Sequence, residues 1–184
     1  MWQSDRHGSG AGGQLTVDVR SLLLDQLAIG WALFEYHAAA LTDEDLFWSP
    51  SAHQWTMRRI DGEWRPDLAD VEPDPVPVTT AAWLTWHIGW WWGTATAHLT
   101  QGPVPGHAGW PGDAASAVRR LGRIHDEWRH ALTSTDRLPE ESAYPWPAGS
   151  GKTVADMAAW VNVELTKNAA ELGQLLILRR AGRG

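Results

Sequence analysis

Two stretches of this chain set polar, chemically capable side chains among large apolar ones. The first is Ala81–Trp92, reading AAWLTWHIGWWW, in which five tryptophans surround His87. On a helix, residues spaced by three, four or seven share a face, so Trp83, His87, Trp90, Trp91 and Thr94 lie on one side. The second is a stripe of Met157, Val161, Glu164, Asn168, Leu172 and Leu175. Glu164 and Asn168 stand one turn apart on a face that is otherwise apolar. A buried carboxylate is costly unless it is paired, hydrogen-bonded or bound to a cation. An imidazole from one helix and two side chains one turn apart on another can converge on a single point in a bundle core.

Two chemistries fit that trio. Imidazole and oxygen donors suit zinc, iron, nickel or manganese. Three protein ligands would leave a position open for water or substrate. Alternatively, His87, Glu164 and Asn168 form a satisfied buried hydrogen-bond network with no ion. His125 and His37 also fall on inward-looking helix faces and are expected to be structural or to lie at the bundle rim. His53, His98, His107 and His130 fall at ends, in loops or on polar faces.

The elements that must carry these residues are four helices. From Val17 to about Leu41, the residues Leu23, Leu27, Trp31, Phe34, Ala38 and Leu41 trace one helical face. Residues 42–78 hold five prolines and are not expected to be helical. Within them, Asp61-Gly62 lies between Trp55–Ile60 and Glu63–Arg65. That is the sequence of a two-residue hairpin, whose type I′ turn needs positive φ at both central residues. A second helix is expected from about Thr80 to Leu99, stopped by Gly102, Pro103, Pro105 and Gly106. A third runs from near Pro111-Gly112-Asp113 to Thr133, with Val118, Leu121, Trp128 and Leu132 on its apolar face. The fourth starts at Thr153, where Asp156 completes a capping box, and reaches Arg180. The expected fold is all-α: a four-helix bundle with long loops and a small β-hairpin between helices 1 and 2. Residues 1–14, rich in Gly and Ser, are expected to be a flexible tail, and residues 15–184 a single domain.

Composition narrows the chemistry. The chain has 184 residues and no cysteine. Thiol nucleophiles, disulfides and Cys-ligated metals are thereby excluded. A formal net charge of −7 repels phosphate backbones, so no nucleic-acid partner is expected. No run approaches the roughly 20 apolar residues that span a bilayer, and the N-terminus lacks the apolar core of a secretory signal. A cytoplasmic protein without membrane partners is expected.

Across residues 15–180 the chain resembles the DinB/YfiT-like superfamily. The resemblance is carried by LTDEDLFWSP, WTMRRIDGEWRPD, TTAAWLTWHIGWWW, GWPGDAASAV and NVELTKNAAELGQLLILRR. It implies a four-helix bundle. In metal-binding relatives, one histidine of helix 2 and two of helix 4 hold a divalent cation. His87 matches the first position, and Glu164 and Asn168 stand at the other two. Lys167 occupies a position where some relatives have histidine, and its ammonium would oppose a bound cation. The resemblance thus implies either a divalent metal, zinc or nickel, on His87, Glu164 and Asn168, or no metal at all. Trp83, Trp90, Trp91, His125 and Glu171 are expected to line the pocket. The resemblance is to a superfamily of metal-dependent transferases that use low-molecular-weight thiols, a thiol-dependent isomerase, proteins assigned as hydrolases and many members of unknown activity. For this chain it implies a divalent-metal-dependent hydrolase or low-molecular-weight-thiol transferase. A metal-dependent enzyme is one expectation; a metal-free protein that binds a small molecule or acts in interactions is the other. A homodimer is also expected.

Overall fold

A computed structural model describes residues 18–107 and 109–182. The tail expected at residues 1–14 lies outside the described residues. Four long helices make up the fold: α1 (Val19–Ala38), α2 (Ala81–Thr100), α3 (Ala114–Ser134) and α4 (Val154–Ala181). Each begins at a polar cap that satisfies first-turn amide groups. Asp18 accepts from the amides of Arg20 and Ser21, Thr80 from that of Trp83, Asp113 from that of Ser116 and Thr153 from that of Asp156. Thr153 and Asp156 form the reciprocal capping box that the sequence implied.

α1 packs most extensively on α4, and α2 on α3, with α2–α4 and α1–α3 as the remaining neighbours. The order around the bundle is therefore α1, α4, α2, α3. The two long connections, after α1 and after α3, join helices that lie diagonally, whereas the shorter α2–α3 connection joins neighbours. That arrangement explains why the proline-rich segments fall where they do. They must cross an end of the bundle rather than turn tightly.

The connection after α1 opens with a 3-10 turn at Asp43–Asp45 and carries four short strands. β2 (Met57–Ile60) and β3 (Glu63–Pro66) form the expected antiparallel hairpin, with Ile60 opposite Glu63. Asp61 and Gly62 between them have φ of 52° and 84°, as a type I′ turn demands. A second pairing, β1 (Gln54–Trp55) parallel to β4 (Val78–Thr79), ties the middle of this connection to the residues that lead into α2. Periodicity does not signal it, because two-residue strands carry no pattern. The hairpin reaches the start of α3 at Gly112, whose φ is 93°. A Cβ there would lie 2.5 Å from the Trp64 indole nitrogen. Only glycine meets both demands.

The core is aromatic. Phe34, Trp86, Trp91, Trp92 and Trp128 are fully buried, with Leu and Met residues from all four helices around them. α2 is buried on nearly every side, which accounts for its run of apolar residues. α4 buries two stripes rather than one. Met157, Val161, Asn168, Leu172 and Leu175 form the stripe read from sequence, and Ala158, Asn162, Leu165 and Ala169 form a second. The second approaches α1: Asn162 Nδ2 donates to Leu23 O at 2.9 Å, and Gly30 lies against Leu165. Further along, Gly173 leaves room for the His37 ring, which fills the space a side chain would take.

Candidate functional site

α2 and α4 are neighbours, and their facing sides carry the polar residues singled out above. His87 stacks on Trp83, with ring centroids 4.5 Å apart and 18° between planes. Thr80 caps the helix one turn before Trp83, and Trp83 is anchored by an indole N–H donated to Asp67 O at 2.8 Å. Burial lowers the His87 pKa to about 4, and the nearby Lys167 ammonium adds to the shift. The ring is therefore neutral at physiological pH.

On α4, Lys167 Nζ lies 2.7 Å from Glu164 Oε2, an i, i+3 ion pair. Glu164 keeps 19% of its side chain exposed and Lys167 49%. Asn168 is buried and doubly bonded. Its Oδ1 accepts the indole N–H of Trp91 at 3.1 Å, and its Nδ2 donates to Glu171 Oε2 at 3.0 Å. The Asn168 side chain thus ties α2 to α4 and leaves no amide dipole unpaired. His87, Trp90, Glu164 and Lys167 each retain some solvent exposure, whereas Trp83, Trp91 and Asn168 are buried.

Sequence reasoning did not single out Tyr144. It comes from the loop between α3 and α4, where its hydroxyl lies 3.4 Å from Trp91 O and its ring stacks on His98. Burial and the Glu164 carboxylate push its pKa up to about 12, so it is a neutral donor. The signal available was its place in Tyr144-Pro145-Trp146-Pro147, where aromatic residues alternate with prolines in a loop otherwise polar.

The expected lining residues separate into groups. Trp83 and Trp90 flank His87, and Trp91 and Glu171 hold Asn168. His125 instead stacks on Trp31 of α1, at 4.4 Å and 12°, and meets Trp92 edge-on. Its ring contacts on other helices are with α1 and with the Trp92 side of α2, and its Nδ1 lies 3.1 Å from Asp126 Oδ1.

Residues 26–172 match the family model of the DinB superfamily, and the chain belongs to that superfamily. Comparison with curated proteins and with solved structures returns no match.

Membership raises the question of whether these residues suit a divalent cation. His87, being neutral, has a free lone pair to offer. The other two positions do not complete a cage. Glu164 is already paired with the Lys167 ammonium, and Asn168 Oδ1 already accepts an indole N–H. A cation here would also sit beside Lys167, whose charge already acts on His87. Among the described residues, no three His, Cys, Asp or Glu side chains are grouped so as to hold a metal. The donor set does not fit.

Proposed function

We propose that this chain is a metal-independent member of the DinB superfamily that binds a small molecule over the His87–Lys167 face. The observation that carries the reading is the 2.7 Å ion pair between Lys167 and Glu164. It supplies an internal cation at a position where, by the resemblance, some relatives have histidine. Neutral His87 can accept a hydrogen bond, Lys167 can donate to an anionic or carbonyl oxygen, and Trp90 offers an aromatic face. Tryptophan rings give rigid apolar contact at little entropy cost, which suits a binding surface. The metal-dependent hydrolase or thiol transferase is the competing reading and needs a third donor beside His87 and Glu164. The homodimer belongs to the proposal as well; exposed Ile29 on α1 and Val163 on α4 offer apolar surface for it.

A fragment screen read by the His87 ring resonances and tryptophan fluorescence tests the proposal. Ligands should bind equally with and without a chelator, and Lys167→Met should weaken them about tenfold or more. Binding that disappears with chelator would reject the metal-independent reading.

A further inference from the structure

Gly89 and Gly93 lie about 200° and 240° around α2 from His87, on its far side. There they floor a groove of about 360 Å³ between α2 and α3. Pro103 and Pro105 wall it from the α2–α3 connection, and Ile124 from α3. The groove also holds two guanidinium groups, Arg120 and Arg123, one turn apart on α3.

Arg120 is the anomaly. Its Nη1 is fully buried and has no hydrogen-bond partner. A buried donor left unpaired is uncommon in folded proteins and costs free energy, more so on a charged group. No carboxylate among the described residues forms an ion pair with it. Burial and the neighbouring Arg123 charge both act against its ionised form. The guanidinium packs on α2 at Gly89, where a Cβ would stand in ordinary van der Waals contact, 3.5 Å from Nη1. Gly93 faces Pro105, whose Cγ would lie 3.2 Å from a Cβ there. Gly89 and Gly93 thus line the α2 side of a groove whose Arg120 cation forms no ion pair among the described residues.

We infer that the α2–α3 groove is a binding site for a small organic carboxylate, held by Arg120 and assisted by Arg123. Both oxygens of a carboxylate match the planar donor fork of a guanidinium. Charge selects the ligand further. Two arginines and Glu127, which also lines the groove, sum to one positive charge, which balances a monoanion better than a phosphate dianion. The apolar wall of Pro103, Pro105, Ile124 and Ala97 suits a hydrocarbon body behind the carboxylate. A volume of 360 Å³ lies at the small end of ligand pockets, about 300–1,000 Å³. This site is independent of the His87 face, and neither proposal depends on the other.

The test is titration of the full chain with hexanoate and benzoate, followed by amide shifts of Gly89 and Gly93 and the Arg120 Nε–H resonance. Hexanamide and inorganic phosphate serve as controls. At least one carboxylate should shift these resonances saturably, the neutral amide should not, and phosphate should bind more weakly. Arg120→Gln should lower affinity at least tenfold. Arg123→Gln alters an exposed residue, should fold normally, and should lower affinity a few-fold. The inference fails if neither carboxylate saturates the shifts. It also fails if hexanamide or phosphate matches the carboxylates, or if a folded Arg123→Gln or Arg120→Gln binds as wild type.

Discussion

Asn168 Oδ1 accepts the indole N–H of Trp91 at 3.1 Å, joining α4 to α2 through two buried side chains. The bond satisfies a donor that has no access to water, and it uses one of the two lone pairs of the oxygen that a metal would need. Asn168→Leu keeps the number and branching of side-chain heavy atoms but orphans the Trp91 nitrogen. It should cost about 1–3 kcal/mol, the desolvation of an unpaired buried donor. Urea unfolding of Asn168→Leu, Trp91→Phe and the double variant checks this. The double variant should be less destabilised than the sum of the single ones. Strict additivity would mean that the bond contributes nothing.

His87 makes stability depend on acid. Unfolded imidazole takes up a proton near 6.5, whereas the buried ring does so near 4. Between those values the unfolded chain binds more protons, so stability falls as pH drops from about 6.5 and levels off, for this residue, below about 4. The full difference is about 3 kcal/mol as an upper estimate. His87→Phe retains an aromatic ring on Trp83 and should flatten this part of the profile, measured as urea midpoints from pH 7.5 to 4.5. An unchanged slope would place the acid sensitivity elsewhere.

Two glycines with positive φ should differ in their tolerance of alanine. At Gly62 a Cβ meets nothing within 4 Å, so Gly62→Ala carries only backbone strain of about 1 kcal/mol. At Gly112 the same strain is joined by collision with Trp64. Gly112→Ala should therefore lower the thermal midpoint more than Gly62→Ala does. Equal shifts would show that Trp64 moves aside freely.

The helices and the hairpin were legible because each rests on local rules. Asp61-Gly62 dictates its turn, Thr153 and Asp156 cap each other, and apolar spacing marks the faces of α1 and α3. Helix adjacency was not legible, because it depends on which stripe meets which. The stripe of α4 that includes Asn162 and Leu165, directed at α1, was missed for that reason. The polar residues of the candidate site were identifiable as intrusions into apolar stripes, but their partners were not. Glu164 sits partly exposed, within reach of Lys167 on its own helix, and Asn168 found an indole across the interface. Tyr144 depends on the path of a proline-rich loop, which no periodicity encodes.

The central claim is that Lys167 and the engaged Asn168 leave the His87 face without a metal site. Calorimetric titration of tag-free protein with zinc and with nickel near pH 7.5 tests it most directly, with His87→Ala as the control. Wild type and His87→Ala should give the same featureless heats, with no stoichiometric binding attributable to His87. One-to-one binding of either ion to wild type that His87→Ala abolishes would contradict the account.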